Sequence, residues 1–411
     1  MPAALAESRT EQLLNISEAY GAHNYHPLPV VIEAGKGCYV TDVDGKRYLD
    51  MLSAYSALNF GYSHPRLLEA ARKQLEKVTL TSRAFHNDQL GPFCKELSEL
   101  SGYESVLPMN SGAEAVETAI KCARKWGYEQ KGIEDGKAEI ICAKGNFHGR
   151  TTTIVSFSTD AQYRKGFGPF TPGFPLVKFG DAGELERAIN KNTAAFLVEP
   201  IQAESGILVP PEGYLKRVRE ICTKHNILFI ADEIQTGLCR TGDLFAWQHD
   251  NSRPDMMCLG KALGGGVVPI SVIVTSKKIM SVFTPGDHGS TFGGNPFACA
   301  VAREAMKLIR SEGLAERACE MGDYFRAKLK STNSPAVTEI RGRGLLIGVQ
   351  IKPEYGNARR FCEAFMEEGI LCKDAHEDVI RFAPPLIIEK IDIDWAMDRI
   401  GPILVEAKPI K

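Results

Sequence analysis

Short apolar runs alternate with helical patterns from about residue 56 to residue 304. We expect strands at 138–142, 152–157, 194–198 and 227–231, where apolar residues predominate. Runs of this kind are typical of strands that are buried on both faces of a parallel sheet. Strands that alternate with helices predict a mostly parallel sheet with helices on both sides. Residues 56–304 are therefore predicted to form a large α/β domain.

The two ends of the chain follow a different pattern. Residues 1–55 predict a polar arm and a short hairpin, with strands at 38–42 and 47–50 joined by the turn Asp44-Gly45. From residue 300 the pattern predicts one long helix that continues past Gly313, followed by mixed strands and helices. We therefore expect residues 305–411 and the N-terminal segment to form a smaller α+β domain.

Composition and charge exclude several classes of protein. The chain has 49 Lys and Arg against 51 Asp and Glu, so it offers no basic surface for nucleic acid. The longest apolar stretches, such as 267–274, are too short to span a bilayer. Eleven cysteines without a Cys-x-x-Cys pair fit a reducing compartment and support neither a metal site nor a disulfide framework. The N-terminus lacks the apolar core of a secretory signal, so we expect a soluble, cytoplasmic protein.

Two charged residues, Asp232 and Lys261, follow apolar runs near the middle of the predicted large domain. Ligands of open α/β sheets bind at the carboxyl ends of the strands. A lysine bonds an aldehyde only as the neutral amine, which the apolar and glycine-rich surroundings of Lys261 favour. Alone, Asp232 would be a helix N-cap and Lys261 a surface residue. Together they indicate pyridoxal phosphate, whose aldehyde needs a lysine and whose ring nitrogen needs an acid.

The segment from Asn110 to Gly112 predicts the start of a helix. Asn110 or Ser111 would cap it, and Gly112 would let the first amides approach a ligand. Free N–H groups and the helix dipole make such an end a site for an anion, here the cofactor phosphate. By itself the motif is more simply an ordinary capped helix. The hydroxyls of Ser290 and Thr291, in a glycine-rich loop, are a second candidate contact.

Several other residues could contact the ring or the substrate. Phe147 could stack on the ring face, and Gln235 could hydrogen-bond the phenolic oxygen of the ring. Arg150 and Arg381 each carry the planar guanidinium that binds carboxylates well, although surface arginines are common. Glu204 would by default be a solvated loop acid.

With these segments, the chain resembles the class III pyridoxal-phosphate aminotransferases, and within them the branch that acts on ornithine. The resemblance extends from residues 20–29 to residues 381–386 and includes 80–85, 123–128 and 166–170. It implies a fold-type I transferase, with a large cofactor-binding domain and a smaller α+β domain formed by both ends of the chain. It also implies an obligate homodimer with shared active sites.

The resemblance assigns roles to the candidate residues. Lys261 would bond the cofactor aldehyde and move a proton between substrate and cofactor, and Asp232 would pair with the pyridine nitrogen. Thr291 would reach the phosphate from the other subunit. The further cofactor contacts that it implies are Ser111, Gly112, Ala113, Phe147, Gln235 and Ser290.

The reaction that the resemblance implies is transfer of the δ-amino group of L-ornithine to 2-oxoglutarate by a ping-pong mechanism. Its products would be L-glutamate and glutamate 5-semialdehyde, which cyclises to pyrroline-5-carboxylate, so arginine metabolism would be linked to proline biosynthesis. Arg381 would bind the α-carboxylate of glutamate, and Glu204 would mask Arg381 when ornithine is bound. Arg150 would hold the far carboxylate, and Tyr25 and Tyr55 would line the ornithine pocket.

Other functions compete with this one. An acetylornithine or 4-aminobutyrate aminotransferase is the nearest, and Tyr25 and above all Tyr55 argue against it. An aminomutase is disfavoured because the pair of Glu204 and Arg381 suits two alternating substrates. A non-catalytic binding module would predict loss of the cofactor lysine or acid, and both are present.

Three positions depart from the family pattern without removing a catalytic group: His148, Cys239 and Gly264. His148 stands where relatives often carry an aromatic residue. Because it is close to Arg150 in sequence, we expect it to tune the substrate pocket.

Overall fold

The structure, a computed structural model, describes residues 7–410, and these residues contain three β-sheets. The strands in chain order are β1 (Ile32–Lys36), β2 (Tyr39–Asp42), β3 (Arg47–Asp50), β4 (Ser105–Met109), β5 (Glu139–Ala143), β6 (Leu176–Val177), β7 (Thr193–Val198), β8 (Leu228–Asp232), β9 (Met256–Leu259), β10 (Ser271–Thr275), β11 (Val337–Arg343), β12 (Leu346–Ile351), β13 (Ile370–Leu371), β14 (Lys373–Ala375) and β15 (Val379–Phe382).

Helices connect these strands and cover the sheets. They are α1 (Arg9–Tyr20), α2 (Ser53–Ser56), α3 (Pro65–Leu75), α4 (Leu90–Ser101), α5 (Gly112–Glu129), α6 (Thr152–Val155), α7 (Ala161–Arg164), α8 (Ala182–Ala188), α9 (Tyr214–Lys224), α10 (Lys277–Met280), α11 (Pro296–Ser311), α12 (Leu314–Ser331), α13 (Ala358–Glu367) and α14 (Lys390–Val405). Short 3-10 turns lie at Ala246–Asp250, Lys261–Gly264 and Pro353–Tyr355.

The central sheet has seven strands in the order β4-β10-β9-β8-β7-β5-β6. The five strands from β9 to β6 are mutually parallel, and β10 runs antiparallel to both of its neighbours. This confirms the predicted α/β class and its mostly parallel sheet. The strands expected at 138–142, 194–198 and 227–231 appear as β5, β7 and β8, each shifted by about one residue.

Side chains of the central strands alternate between two cores. Leu197 and Ile230 pack with Val116 of α5 on one face. Phe196 and Phe229, with the opposite parity, pack with residues of α9 on the other face. Because successive side chains of a strand point to opposite faces, continuous apolar runs are what a sheet covered on both sides requires.

Two local predictions were wrong. The run 152–157 is not a strand: it begins with the helical turn α6, whose first amides are capped by Thr151. Its Ile154 and Phe157 are buried against α5, and a short apolar run does not distinguish a buried turn from a strand. The long helix does not continue past Gly313. It ends after Ser311, because Gly313 adopts φ +57°, and α12 starts anew.

The ends of the chain meet in a second sheet, β1-β2-β3-β13. The predicted hairpin is present as β2 and β3, and β13 adds to β3 in parallel. A third sheet, β11-β12-β15-β14, carries the C-terminal segment. The division into domains at residues 55 and 304 stays a prediction. Within the described residues, no helix combines the length and apolar character needed to cross a membrane.

Candidate active site

Five chain segments deliver polar or aromatic residues to one edge of the central sheet. Asp232 is the last residue of β8, Glu199 directly follows β7, and Lys261 lies two residues after β9. The loop after β5 brings Phe147, and Ser111 follows β4. These strands all point the same way, because β4 is antiparallel to β10 and β10 to β9. The carboxyl ends of the strands therefore form the candidate site, as the sequence predicts.

Lys261 opens a 3-10 turn with φ +44°, and Gly265 and Gly266, both at positive φ, follow that turn. Gly266 has φ +72°, which favours glycine, and a Cβ there would lie 2.3 Å from Leu58 Cδ2. Burial and the nearby charge of Arg381 lower the pKa of Lys261 to about 7. The carboxylates that oppose this shift are those of Glu204, Asp232 and Glu199. Near neutral pH a large share of the amine is thus unprotonated and nucleophilic.

The carboxylate of Asp232 is fixed by two donors. His148 Nδ1 lies 2.6 Å from Asp232 Oδ2, and the backbone N–H of Ile234 donates to Oδ1 at 3.1 Å. Both side chains are buried. Because an ionised carboxylate only accepts hydrogen bonds, His148 donates from Nδ1. His148 was expected to tune the substrate pocket. The structure instead directs its ring to the carboxylate of Asp232.

Glu199 is a buried acid whose part in the site the sequence did not reveal. Its Oε2 accepts a hydrogen bond from the backbone N–H of Phe147 at 3.0 Å. Burial, and then the charge of Asp232, raise the pKa of Glu199 well above its usual range. The signal was available, since Glu199 follows a buried strand just as Asp232 ends one.

The start of α5 leaves two amides free. Ser111 is the N-cap, and its hydroxyl accepts from the N–H of Glu114. The Glu114 carboxylate accepts in return from the N–H groups of Asn110 and Ser111. Among the described residues, nothing accepts a hydrogen bond from the next two amides, those of Gly112 and Ala113. These two N–H groups, at the positive end of an 18-residue helix, can bind an anion.

Ser290 and Thr291, the second predicted phosphate contact, lie in different surroundings. Ser290 Oγ accepts from Asn110 Nδ2 at 2.9 Å, so it lies beside the start of α5 in the same chain. Thr291, the next residue, is exposed. Next to it, Phe292 exposes 55% of its surface, although it is a large apolar residue.

Arg381 is at the centre of a polar cluster. Its guanidinium is buried and donates to Glu204 Oε1 at 2.7 Å and to Gln235 Oε1 at 2.7 Å. Gln235 Nε2 donates to the same oxygen of Glu204 at 3.2 Å. The ring of Tyr55 covers the guanidinium, with 5.3 Å from Arg381 Cζ to the ring centroid. Glu204 is thus the partner of a buried arginine and not a solvated loop acid.

The charge state of Glu204 follows from its neighbours. Burial opposes its ionisation, but Arg381 and Lys261 outweigh burial and lower the pKa of Glu204. The side chain of Glu204 remains 24% exposed, against 1% for Arg381. Glu204 can therefore move towards solvent more easily than Arg381 can.

Aromatic residues surround the other candidate arginine. Arg150 is exposed, and its Cζ lies 3.8 Å from the ring centroid of Tyr163 and 5.7 Å from that of Phe147. No local pattern in the sequence singles out Tyr163, which lies in the short helix α7. Tyr25 is 71% exposed. The pKa of Tyr55 is raised first by burial and then by Glu204, and Tyr25 is close enough to Tyr55 to raise it further.

Pyridoxal phosphate fits this set of groups. An amine whose pKa is lowered, a buried carboxylate with fixed orientation and a helix end with two free amides are the three contacts that the aldehyde, the ring nitrogen and the phosphate require. Phe147, half-buried between Glu199 and Tyr163, can cover the ring.

Comparisons with known proteins agree with this chemistry. The family model of class III aminotransferases matches residues 20–404. The chain is 56% identical to the ornithine aminotransferase of Brevibacillus brevis over 397 residues, which are 97% of this chain and 99% of that relative.

Solved structures extend the similarity to the fold. An ornithine aminotransferase from Toxoplasma gondii, whose active site holds pyridoxal phosphate at partial occupancy, gives a TM-score of 0.96 at 46% identity and covers 98% of this chain and 96% of its own. An acetylornithine aminotransferase from Elizabethkingia anophelis gives 0.89 at 45% identity and covers 97% of this chain and 100% of its own.

Proposed function

Because the chain belongs to the class III aminotransferase family, we propose that the candidate site is the active site of an L-ornithine δ-aminotransferase. The cofactor is pyridoxal phosphate. The δ-amino group of L-ornithine passes to 2-oxoglutarate in two alternating half-reactions. The products are L-glutamate and glutamate 5-semialdehyde, which cyclises to pyrroline-5-carboxylate, so the reaction connects arginine metabolism with proline biosynthesis.

The cofactor contacts are a proposal that the site geometry supports. Lys261 Nζ would bond the aldehyde, Asp232 would hold the ring nitrogen protonated, and the amides of Gly112 and Ala113 would bind the phosphate. When bound, the cofactor supplies an aldehyde that bonds amines and a ring that accepts electrons. Phe147 would cover the ring. Contacts to Ser111, Ser290 and the phenolic-oxygen partner Gln235 complete the proposed set.

Proton transfer falls to Lys261. Its Nζ, with a pKa of about 7, is neutral often enough to take the proton from the substrate carbon that carries the amino group. His148 Nδ1 fixes the orientation of Asp232 through its hydrogen bond to Oδ2. The chain thus supplies a base at one end of the site and a fixed anion at the other.

The ion pair between Glu204 and Arg381 is the observation that carries the proposal of two alternating substrates. Ornithine enters with its δ end, which has no carboxylate, whereas glutamate enters with its α end, which has one. A pocket for both must offer a cation to glutamate and hide it from ornithine. Glu204, bound to Arg381 at 2.7 Å and partly exposed, can mask the arginine and then move away.

The far end of both substrates carries a carboxylate, which Arg150 would bind. Arg150 is exposed and lies against Tyr163 and Phe147, so it is available to a ligand. Tyr55 covers Arg381, and Tyr25 lies near Tyr55; these tyrosines would line the ornithine pocket. The alternative substrates are N-acetylornithine and 4-aminobutyrate.

A homodimer with shared active sites is the proposed assembly. Thr291 is exposed in the single chain, and the apolar side chains of Phe292 and Phe85 near it are 55% and 75% exposed. The two segments adjoin, since Asn87 Nδ2 donates to Gly294 O at 3.4 Å. An exposed apolar patch of this kind favours contact with a second copy, in whose site Thr291 would bind phosphate.

A cytoplasmic location is also proposed, supported by eleven free cysteines.

An isotope experiment tests the transfer directly. The enzyme is incubated with 2-oxoglutarate and L-ornithine labelled with nitrogen-15 at either the δ or the α position. The proposal expects the label in glutamate only from δ-labelled ornithine. Label that arrives from the α position, or activity on N-acetylornithine above that on ornithine, would contradict it.

A further inference from the structure

The segment that carries Tyr55 has an unusual backbone. Ser53, Ala54, Tyr55 and Ser56 have φ values of +45°, +48°, +59° and +70°, and none of them is glycine. In this left-handed region the Cβ crowds the following carbonyl oxygen, so each residue costs free energy. Four such residues in succession do not persist by local preference. Contacts from elsewhere in the fold must hold α2 in this conformation.

The guanidinium of Arg240 provides those contacts. It is fully buried, and its Nη2 donates to Ser53 Oγ at 3.2 Å and to Asn59 Oδ1 at 2.6 Å. Its Nη1 donates to the carbonyl oxygens of Pro384 at 2.5 Å and Leu345 at 3.0 Å. One side chain therefore connects the left-handed turn with the segment that follows β15.

The turn and that segment also bind each other. Ser53 Oγ donates to the carbonyl of Ala383 at 2.6 Å, and the N–H of Ala383 donates to Met51 O at 2.7 Å. Arg381 lies two residues before Ala383. The ring of Tyr55 is thereby held against the guanidinium of Arg381, 5.3 Å from its Cζ.

Arg240 is a costly residue for a merely structural position. Within residues 7–410 it forms no ion pair with a carboxylate. Burial, and then the charge of Arg381, lower its pKa to about 9. A buried cation without a directly bonded carboxylate is unfavourable, and an apolar side chain could fill the same volume at lower cost. The nearby carboxylate of Asp50, which is not hydrogen-bonded to Arg240, offsets part of this cost. An apolar residue could not donate to both Ser53 and Pro384.

We propose that Arg240 is a positioning residue for substrate selection, which holds the left-handed turn so that Tyr55 stays against Arg381. The proposal rests on the proposed function, in which Tyr55 lines the ornithine pocket and Arg381 binds glutamate. Arg381 itself is held by strand pairing, since Arg381 faces Gly348 in β12. Loss of Arg240 should therefore release Tyr55 more than Arg381.

The test is the variant Arg240→Lys, which keeps the charge but cannot reach four acceptors. We expect KM for ornithine to rise roughly tenfold, as for loss of a charge-assisted hydrogen bond, with a much smaller change in KM for 2-oxoglutarate. The preference of Arg240→Lys for ornithine over N-acetylornithine should also be lower than that of the wild type. Ser53→Ala, which removes one acceptor, should shift the same ratio in the same direction and serves if Arg240→Lys does not fold.

A rescue variant separates positioning from stability. Ala54 is exposed, and glycine adopts positive φ without a Cβ clash, so Ala54→Gly added to Arg240→Lys should restore part of the ornithine preference. If Arg240 only stabilised the fold, Tm would fall, both KM values would change equally and Ala54→Gly would not alter the preference. Equal changes in the two KM values would overturn the proposal. An unchanged ornithine preference after Ala54→Gly would overturn it as well. Wild-type enzyme that fails to move the δ-nitrogen would instead contradict the proposed function.

Discussion

His148 Nδ1 and Asp232 Oδ2 are 2.6 Å apart, and both side chains are buried beneath the candidate cofactor site. The hydrogen bond holds a carboxylate whose other oxygen is bound by a backbone amide. Asp232 therefore has one orientation, set before any ligand arrives. A fixed anion is what a protonated ring nitrogen needs, because no free energy is then spent on reorientation.

Substitution of His148 tests this relationship. His148→Phe keeps the ring volume but removes the donor to Asp232, and we expect the rate of the ornithine half-reaction to fall roughly 10- to 100-fold, the range for a hydrogen bond to a charged group. His148→Asn is the matched control, since its amide nitrogen can replace Nδ1 and should retain most of the rate. Equal rates in both variants would show that Asp232 does not depend on this donor.

Lys261→Ala should abolish amino transfer. The side chain is the proposed partner of the aldehyde and the proton carrier, and loss of a general base alone typically costs roughly 10² to 10⁴ in rate. Lys261→Arg is the control for charge and size, because its guanidinium stays protonated and should be equally inactive. Single-turnover rates with ornithine measure the effect. Full turnover by Lys261→Ala would contradict the catalytic assignment.

The pKa of Lys261 makes a prediction about pH. Because the pKa is lowered from 10.5 to about 7, the neutral amine of the cofactor-free protein predominates above that pH and is lost as the pH falls through it. Labelling by an amine-reactive reagent, followed by mass spectrometry, should therefore show a midpoint near 7 at Lys261. Lys390, whose pKa is raised by its hydrogen bond to Glu320, is the internal control and should label only in strongly alkaline solution.

Glu204→Gln should change the balance between the two substrates. The variant keeps the shape of the side chain but removes the charge that masks Arg381. We expect tighter binding of glutamate and weaker selection for ornithine, each by roughly tenfold, because a charge-assisted hydrogen bond is replaced by a neutral one. Separate KM values for ornithine and glutamate measure the shift. If both changed equally, Glu204 would not be acting as a mask.

Shared active sites can be tested with hybrid dimers. Thr291→Glu would place a negative charge against the cofactor phosphate, and Lys261→Ala removes the catalytic amine. If Thr291 serves the partner's site, a hybrid of the two inactive variants has one intact site. A random mixture should then regain about a quarter of wild-type activity. If Thr291 serves its own chain, every site carries a lesion and no activity returns.

The sequence predicted the centre of this site because the relevant signals are local. Asp232 and Lys261 each follow an apolar run, and the rule that ligands bind at strand carboxyl ends needs no knowledge of the rest of the fold. The partner of Asp232 was missed because His148 lies 84 residues away, and no local pattern links the two. The same holds for Arg240, which contacts Ser53 across 187 residues.

The backbone conformation of Ser53–Ser56 could not be predicted from the sequence for a different reason. A left-handed turn is usually predictable from glycine or asparagine in the sequence, but Ser53–Ser56 contains neither. Only tertiary contacts hold it, so the position of Tyr55 could not be derived from its own segment. The run at 152–157 was mistaken for a strand because β-branched residues also occur in a buried helical turn.

The most direct test of the central claim follows the visible absorbance of the bound cofactor without any keto acid. L-Ornithine, N-acetylornithine and 4-aminobutyrate are added separately to the holoenzyme. We expect the absorbance of the lysine-bound cofactor to disappear fastest with ornithine. A faster response to N-acetylornithine or 4-aminobutyrate would leave the family and Lys261 in place, but would contradict the roles given to Tyr25 and Tyr55.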